Sequence, residues 1–82
     1  MSMHDKIYVS VIARYDIDGN IIPISVLWHN HLSYSIDKIT QIIPAASLKS
    51  GGYGLRYTVK IQGKRRYLYL EENRWFIEKG DD

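Results

Sequence analysis

Three features of the chain predict an all-β domain. Isoleucine and tyrosine are frequent, apolar and polar residues alternate with a period of two, and tight-turn signals separate the alternating runs. A flat sheet with one wet face would leave two exposed edges, which a small chain avoids by curling. We therefore expect a strongly bent antiparallel sheet or a partly open barrel, SH3-like or OB-like, of about six strands with at most one helical turn.

The first two strands are predicted to form a hairpin around Asp18-Gly19, because a type I′ turn needs positive φ at both central positions. This turn sets three apolar pairs on one face: Ala13 with Ile24, Val11 with Val26 and Val9 with Trp28. A slip of one residue would bring Ser25 and Leu27 onto that face instead, so the apolar pattern itself favours this register. Pro23 then lies opposite Arg14, which indicates an edge or unpaired position.

The second connection is predicted to be a three-residue loop, His29-Asn30-His31. It pairs Trp28 with Leu32, Val26 with Tyr34 and Ile24 with Ile36, whereas a two-residue loop would set serines opposite the apolar residues. The third strand then covers Leu32 to Ile36 and continues, bent, through Ile39 to Ile43. After Pro44, residues Ala45 to Lys49 fit one helical turn, followed by a flexible loop at Ser50-Gly51-Gly52.

Residues Gly54 to Glu78 are predicted to form a three-stranded meander. We expect a type II′ turn over Gln62-Gly63-Lys64-Arg65 and a second turn at Glu72-Asn73. The outer face then carries three cross-strand rows: Arg56–Glu71–Arg74, Thr58–Tyr69–Phe76 and Lys60–Tyr67–Glu78. The inner face is apolar and consists of Leu55, Tyr57, Val59, Ile61, Leu68, Leu70, Trp75 and Ile77.

Charge is distributed unevenly along the chain. Six of the eleven Lys and Arg residues and none of the nine acidic ones lie between Lys49 and Arg66. Rings on a sheet face can stack bases, and neighbouring cations attract phosphates. The hypothesis is single-stranded nucleic-acid binding by a basic-aromatic sheet face, with these candidate residues: Arg56, Lys60, Lys64, Arg65, Arg66, Tyr67, Tyr69 and Phe76.

Two other interpretations stand beside nucleic-acid binding. Tyr69 and Phe76 could form an interface with a protein partner or with a second copy of the chain, as exposed aromatic clusters do. Alternatively, the rings only pack across strands and the arginines pair with Glu71, since Glu71 and Glu78 neutralise part of the face. In either case we expect a binding or adaptor module.

Composition argues against several other classes. The 82 residues correspond to a single domain, whose ends at residues 1–5 and 80–82 are expected to fray. The chain has no cysteine, signal-peptide pattern or membrane-span pattern, which favours a cytoplasmic protein. His29 and His31 lie in a turn without a third ligand. A calcium loop with Gly19 as its glycine would run from Arg14 to Ser25, which fails the pattern at both ends, and Lys49 to Gly54 lacks P-loop spacing. We therefore expect no metal, no cofactor and no enzymatic activity.

One residue and four segments, which together span most of the chain, carry a resemblance: Trp28, Tyr34 to Lys38, Ala46 to Lys49, Gly51 to Tyr57 and Trp75 to Glu78. They resemble a group of small bacterial proteins of unknown function from Gram-positive Firmicutes. That group has Asp-Gly where this chain has Asn30-His31. The resemblance implies a free-standing, single-domain cytoplasmic protein and conveys no function.

Overall fold

The fold is a strongly curled half-barrel of antiparallel strands. The structure, a computed structural model, describes residues 6–45 and 54–78 and contains no helix within them. Seven strands form one sheet in the order β3-β2-β1-β7-β6-β5-β4. They are β1 Lys6–Tyr15, β2 Ile21–Leu27, β3 Ser33–Ser35, β4 Lys38–Pro44, β5 Gly54–Ile61, β6 Lys64–Glu71 and β7 Arg74–Glu78. The predicted all-β class and bent sheet are confirmed. The predicted helical turn at Ala45 to Lys49 extends, like both predicted tails, into residues outside these ranges.

The path from β3 to β4 brings the two sides of the half-barrel together. The Ile36 N–H donates to the Ile24 carbonyl at 2.9 Å, whereas the Asp37 N–H donates to the Lys60 carbonyl at 2.8 Å. Ile36 and Asp37, which are consecutive in the chain, therefore bond to strands on opposite sides of the half-barrel. This change of partner divides the third predicted strand in two, which is why the sheet has seven strands instead of about six.

The β1–β2 hairpin agrees with the predicted register only away from its turn. Val11 lies opposite Val26 as predicted, but a bulge after Ile12 shifts the pairing so that Pro23 faces Ala13 instead of Arg14. The turn is three residues long instead of two, since the Asp16 N–H donates to the Asn20 carbonyl at 3.0 Å. Gly19 supplies the positive φ of 85° that this longer turn needs.

The loop between β2 and β3 has the predicted length. The Trp28 N–H donates to the Leu32 carbonyl at 2.9 Å, and Val26 lies opposite Tyr34. His31 has a φ of 69°, a left-handed conformation that closes the three-residue loop. Trp28 therefore faces the interior, as the alternation predicted.

The meander has the predicted faces but a different register between β5 and β6. Gln62 and Gly63 have φ values of 53° and 77°, so they form a type I′ turn instead of the predicted type II′ turn. Thr58 therefore lies opposite Tyr67, and Lys60 opposite Arg65. A shift of two residues leaves every side chain on its own face, so the apolar alternation could not detect it. The Glu72-Asn73 turn and the β6–β7 register are as predicted.

The core fills the concave side of the half-barrel. Its buried centre consists of Val26, Tyr57, Val59, Leu68 and Ile77. The Tyr57 hydroxyl donates to the Ile21 carbonyl on β2, a strand that is not adjacent to β5 in the sheet. This contact across the interior links the two sides of the curled sheet.

The Asp16 carboxylate organises the β1–β2 turn. Its Oδ1 accepts the Asn20 N–H at 2.8 Å and the Asp18 N–H at 2.9 Å. The Asn20 N–H is the main cause that lowers the pKa of Asp16 below its ordinary value of 3.8. A depressed carboxyl pKa stabilises the fold above the unfolded-state value and loses that effect as pH falls.

We therefore expect Asp16→Ala to lower the melting temperature at pH 7, with a difference from wild type that shrinks as pH falls below 3.8. Thermal melts followed by circular dichroism over a pH series measure this difference. Asp18→Ala removes the same charge two residues away and is the control. An equal effect of both variants at pH 7 contradicts the turn assignment.

Candidate nucleic-acid interface and an adjoining pocket

The eight predicted site residues lie on both faces of the sheet instead of one. Residues opposite the core alternation occupy the convex face, and they are Arg56, Lys60, Arg65, Tyr67, Tyr69 and Phe76. Lys64 and Arg66 instead share the β6 parity of the buried Leu68 and line a pocket at the concave side. The predicted set therefore corresponds to two neighbouring surfaces that meet at the β5–β6 turn.

An aromatic row crosses the convex face of β1, β7 and β6. The rings of Tyr69 and Phe76 stack in parallel, with centroids 4.9 Å apart and an interplanar angle of 2°. Tyr8 meets Phe76 edge-on at 5.5 Å, and the Lys6 Nζ lies 4.7 Å from the Phe76 centroid. These neighbours leave Phe76 only 2% exposed. In this packing the Phe76 ring is covered by the protein itself, so the stacking platform that the sequence predicted loses one of its three rings.

Three cations form another cross-strand row on the convex face. Lys38 on β4 lies opposite Lys60 on β5, and Lys60 lies opposite Arg65 on β6. All three residues are exposed. Asp37, which precedes Lys38 in the chain, accepts the Gln62 N–H at its Oδ2 at 2.9 Å. Like charges directly opposite one another destabilise a sheet, so this row favours an anionic ligand.

Tyr67 lies between this cationic row and the aromatic row. The Arg56 guanidinium is 4.8 Å from the Tyr67 ring centroid, and that of Arg65 is 5.8 Å away. Arg56 also donates from Nη2 to the Gln41 Oε1 at 3.5 Å. Within residues 6–45 and 54–78, its buried Nε meets no acceptor. Guanidinium planes and tyrosine rings both stack nucleobases, so this cluster presents two kinds of stacking surface.

The acidic residues of the convex face lie near β7. Glu71 Oε1 is 3.6 Å from the Lys6 Nζ, and Arg74 lies opposite Glu71. Burial, together with the charge of Glu78 and a hydrogen bond to it, raises the pKa of the Tyr69 phenol above 10.0. The predicted Arg56–Glu71 pairing is wrong, because the observed register places Arg56 opposite Tyr69. The β4–β5–β6 part of the face is therefore more basic than the sequence indicated.

A pocket of about 350 Å³ opens between the β2–β3 loop and the β5–β6 turn. Val26 and Ile77 are its buried residues, and Trp28 and Ile61 are half-buried. The polar lining comes from both hairpins and consists of Asn30, Tyr34, Gln62, Lys64 and Arg66. These residues include two cations and no acid. The pocket can therefore hold an anion that also carries an apolar ring.

Sequence reasoning missed Lys38 and the pocket-lining residues of the β2–β3 hairpin. Lys38 is isolated in the sequence and joins the cations only through pairing with Lys60. Trp28 and Tyr34 were predicted to lie on the inner face of their strands, and core residues show the same alternation. The pattern therefore could not identify them as residues that line a pocket. They lie at an opening because the β2–β3 loop and the β5–β6 turn approach each other there, which the sequence does not show.

Because Phe76 is buried, we expect its ring to contribute to the stability of the fold and not to contact a ligand on the convex face. We expect Phe76→Ala to lower the free energy of unfolding by about 3–5 kcal/mol, as truncation of a buried aromatic side chain does. Tyr67→Ala removes a half-buried ring and is the matched comparison, with a smaller expected loss. Urea denaturation followed by tryptophan emission measures both. Equal stabilities of the Phe76 variant and wild type would show that the ring is not covered.

Other kinds of site find no support in the described residues. Within the ranges 6–45 and 54–78, no three His, Asp or Glu side chains come together as a metal site would require. A search of the same residues finds no helix with the length and apolar character of a membrane span. Comparisons with protein-family models, curated proteins and solved structures gave no match to this chain. The resemblance to a bacterial group therefore stays a prediction.

Proposed function

We propose that this protein is a binding module for single-stranded nucleic acid, which it contacts through the convex face of β4, β5 and β6. The observation that carries the proposal is the row Lys38–Lys60–Arg65, in which three cations lie side by side and their mutual repulsion lowers the stability of the sheet. Natural proteins accept such local conflicts mainly where function requires them. A phosphate backbone lying along this row removes the repulsion.

Tyr67 and its flanking arginines supply the contact for bases. The ring lies in the row next to the cations, since its partner Thr58 is two residues from Lys60. Stacking of one base on an aromatic ring contributes roughly 1–3 kcal/mol and works with any base. We therefore expect the protein to bind single strands with little sequence preference, because stacking on a ring does not distinguish one base from another.

The proposed role is binding without catalysis, in the cytoplasm. The convex cationic row and the pocket lining contain neither a carboxylate nor an imidazole that could act as a general acid or base. The absence of cysteine from the chain is compatible with a reducing compartment.

Fluorescence anisotropy with a labelled single-stranded oligonucleotide tests the proposal. We expect saturable binding at low salt, weaker binding by Tyr67→Ala, and unchanged binding by Tyr15→Ala, which removes an exposed tyrosine at the far end of β1. Separate DNA and RNA arms show which sugar is preferred. Absence of binding to both at about 20 mM salt, where phosphate contacts are strongest, overturns the proposal.

The second candidate is interaction with a protein partner or a second copy of the chain, which we place on a different surface from the predicted Tyr69/Phe76 face. Phe76 is only 2% exposed, whereas Tyr8, Ile12 and Leu27 are 46%, 64% and 45% exposed on the convex face of β1 and β2. Such a patch suits self-association. Sedimentation velocity at several concentrations tests self-association. We expect the wild-type protein to associate as its concentration rises and Ile12→Ser to remain monomeric. A wild-type protein that is monomeric at all concentrations contradicts this candidate.

A further inference from the structure

A pocket with an apolar and cationic lining lies beside the cationic row. It lies where the two hairpins approach each other, with Trp28, Asn30 and Tyr34 on one side and Ile61, Gln62, Lys64 and Arg66 on the other. Its volume of about 350 Å³ falls at the small end of the range of roughly 300–1,000 Å³ for ligand sites. A single ring system with one charged group therefore suits it better than a larger ligand.

The two aromatic residues in the pocket are held in place by their surroundings. The Trp28 ring contacts the His29 ring, with centroids 4.6 Å apart. The Tyr34 hydroxyl accepts a hydrogen bond from the Asn30 Nδ2 at 3.4 Å, and the Asn30 Oδ1 accepts the Leu32 N–H at 2.9 Å. The loop thus positions an indole, a phenol and an amide around one opening.

The opposite wall supplies the charge. The exposed Lys64 and half-buried Arg66 lie on the concave parity of β6, and Arg66 donates from Nη1 to the Arg65 carbonyl at 3.0 Å. Gln62 is held at its backbone by the Asp37 carboxylate, which accepts the Gln62 N–H at 2.9 Å. Both cations therefore stand on a hairpin end that is tied to the rest of the fold.

From this arrangement we propose that the pocket binds one nucleotide, with its base against Trp28 and Tyr34 and its phosphate at Lys64 and Arg66. The naming of a nucleotide rests on the proposed function. Charge complementarity favours this occupant, because the lining has two cations and no acid. Lys64 and Arg65 are adjacent on β6 and point to opposite faces, so a strand can pass from the pocket around the β5–β6 turn to the cationic row.

Tryptophan emission can report on the pocket directly. Trp28 lines it, whereas Trp75 packs against Tyr57 in the core with ring centroids 5.4 Å apart. In a Trp75→Phe background the remaining emission comes from Trp28. Titration with nucleoside monophosphates at constant ionic strength is expected to change it saturably, and the free nucleoside and inorganic phosphate each to bind more weakly.

Two variants and one control assign the contacts. We expect Lys64→Gln and Tyr34→Leu each to weaken nucleoside monophosphate binding by roughly three- to tenfold, about 0.7–1.4 kcal/mol. Arg14→Gln removes an exposed cation on β1 outside both the pocket and the cationic row, and it is expected to leave that binding unchanged. No saturable change up to about 10 mM of any nucleotide, or equal effects of all three variants, overturns the nucleotide site.

A parallel titration with the labelled oligonucleotide separates this inference from the proposed function. Oligonucleotide binding that leaves Trp28 emission unchanged and is insensitive to Tyr34→Leu overturns the pocket assignment, while the convex interface stands. Mononucleotide binding that is lost in Lys64→Gln, in a protein that binds no oligonucleotide, supports the pocket and overturns the proposed function.

Discussion

Replacing Lys60 and Arg65 together by glutamine is expected to weaken the proposed single-strand binding, to reduce its salt dependence and to leave the protein at least as stable as wild type. Each phosphate contact to a single strand contributes about 0.7 log units of affinity per log unit of salt. Loss of two contacts therefore lowers the slope of log affinity against log salt by about 1.4. Anisotropy titrations at four or more salt concentrations measure that slope.

The stability part of this prediction distinguishes lost contacts from misfolding. Lys60 and Arg65 are directly opposite one another, and Lys38 faces Lys60 on the other side. Removing such like-charge pairs is expected to add about 0.2–1 kcal/mol per pair to the free energy of unfolding. Urea denaturation of the double variant measures this gain. A less stable double variant would contradict the view that the row is kept for a ligand.

Arg14→Gln is the control for a general effect of net charge. Arg14 is exposed on β1 beside the β1–β2 turn, at the end of the sheet opposite the β5–β6 turn. We expect this single variant to leave the salt slope close to that of wild type. If its effect equals that of Lys60→Gln alone, the phosphate contacts are not localised on the cationic row.

Truncating Tyr57 to alanine is expected to unfold much of the protein. Tyr57 is 1% exposed, and its ring packs against Trp75 in the core. Removal of a buried aromatic side chain lowers the free energy of unfolding by about 3–5 kcal/mol. A domain of this size has a total of only about 4–12 kcal/mol. Urea denaturation followed by tryptophan emission measures the loss, with the less buried Tyr15→Ala as control.

Tyr57→Phe isolates the contribution of the hydroxyl. The ring stays, but the Ile21 carbonyl loses its donor, which is expected to lower the free energy of unfolding by about 0.5–1.5 kcal/mol. An unchanged stability would show that the hydrogen bond across the half-barrel adds nothing.

Alkaline pH gives an independent test of the same hydroxyl. Burial raises the pKa of Tyr57 above its ordinary value of 10.0. A raised pKa means that the neutral phenol stabilises the fold below 10.0, and that this stabilisation is lost as pH rises through the folded-state value. We therefore expect the stability of Tyr57→Phe to fall less steeply than that of wild type above pH 10.

The sequence predicted which kinds of residue form the candidate site, but it did not predict how they are arranged on the sheet. Clustering of cations between Lys49 and Arg66 indicated an anionic partner, and Tyr67 and Lys60 do lie on the convex face. Phe76 was predicted to be available to a ligand, because alternation assigns a face and does not show what covers it. Its burial comes from Lys6 and Tyr8 on β1, a strand about 70 residues earlier in the chain that becomes its neighbour only in the sheet.

The β1–β2 turn was not determined by the sequence, because a bulge after Ile12 compensates for its third residue. The sequence by itself did determine the β class, the two faces of the strands and a turn whose alternatives would change those faces. The loop at His29 to His31 is an example, because a loop shorter by one residue exposes the apolar residues. Period-two alternation carries this information locally. No long-range contact is needed for it.

Only the tertiary structure decided the register at Gln62-Gly63, because a shift of two residues preserves both faces. Gly63 suits either turn type, and the Asp37 carboxylate, 25 residues away, bonds to the Gln62 N–H of the observed one. That register sets Lys60 opposite Arg65, while the joining of β4 to β5 adds Lys38. Lys38 therefore joins the cationic row through long-range pairing, which the order of residues along the chain does not reveal, whereas Lys60 and Arg65 meet within one hairpin.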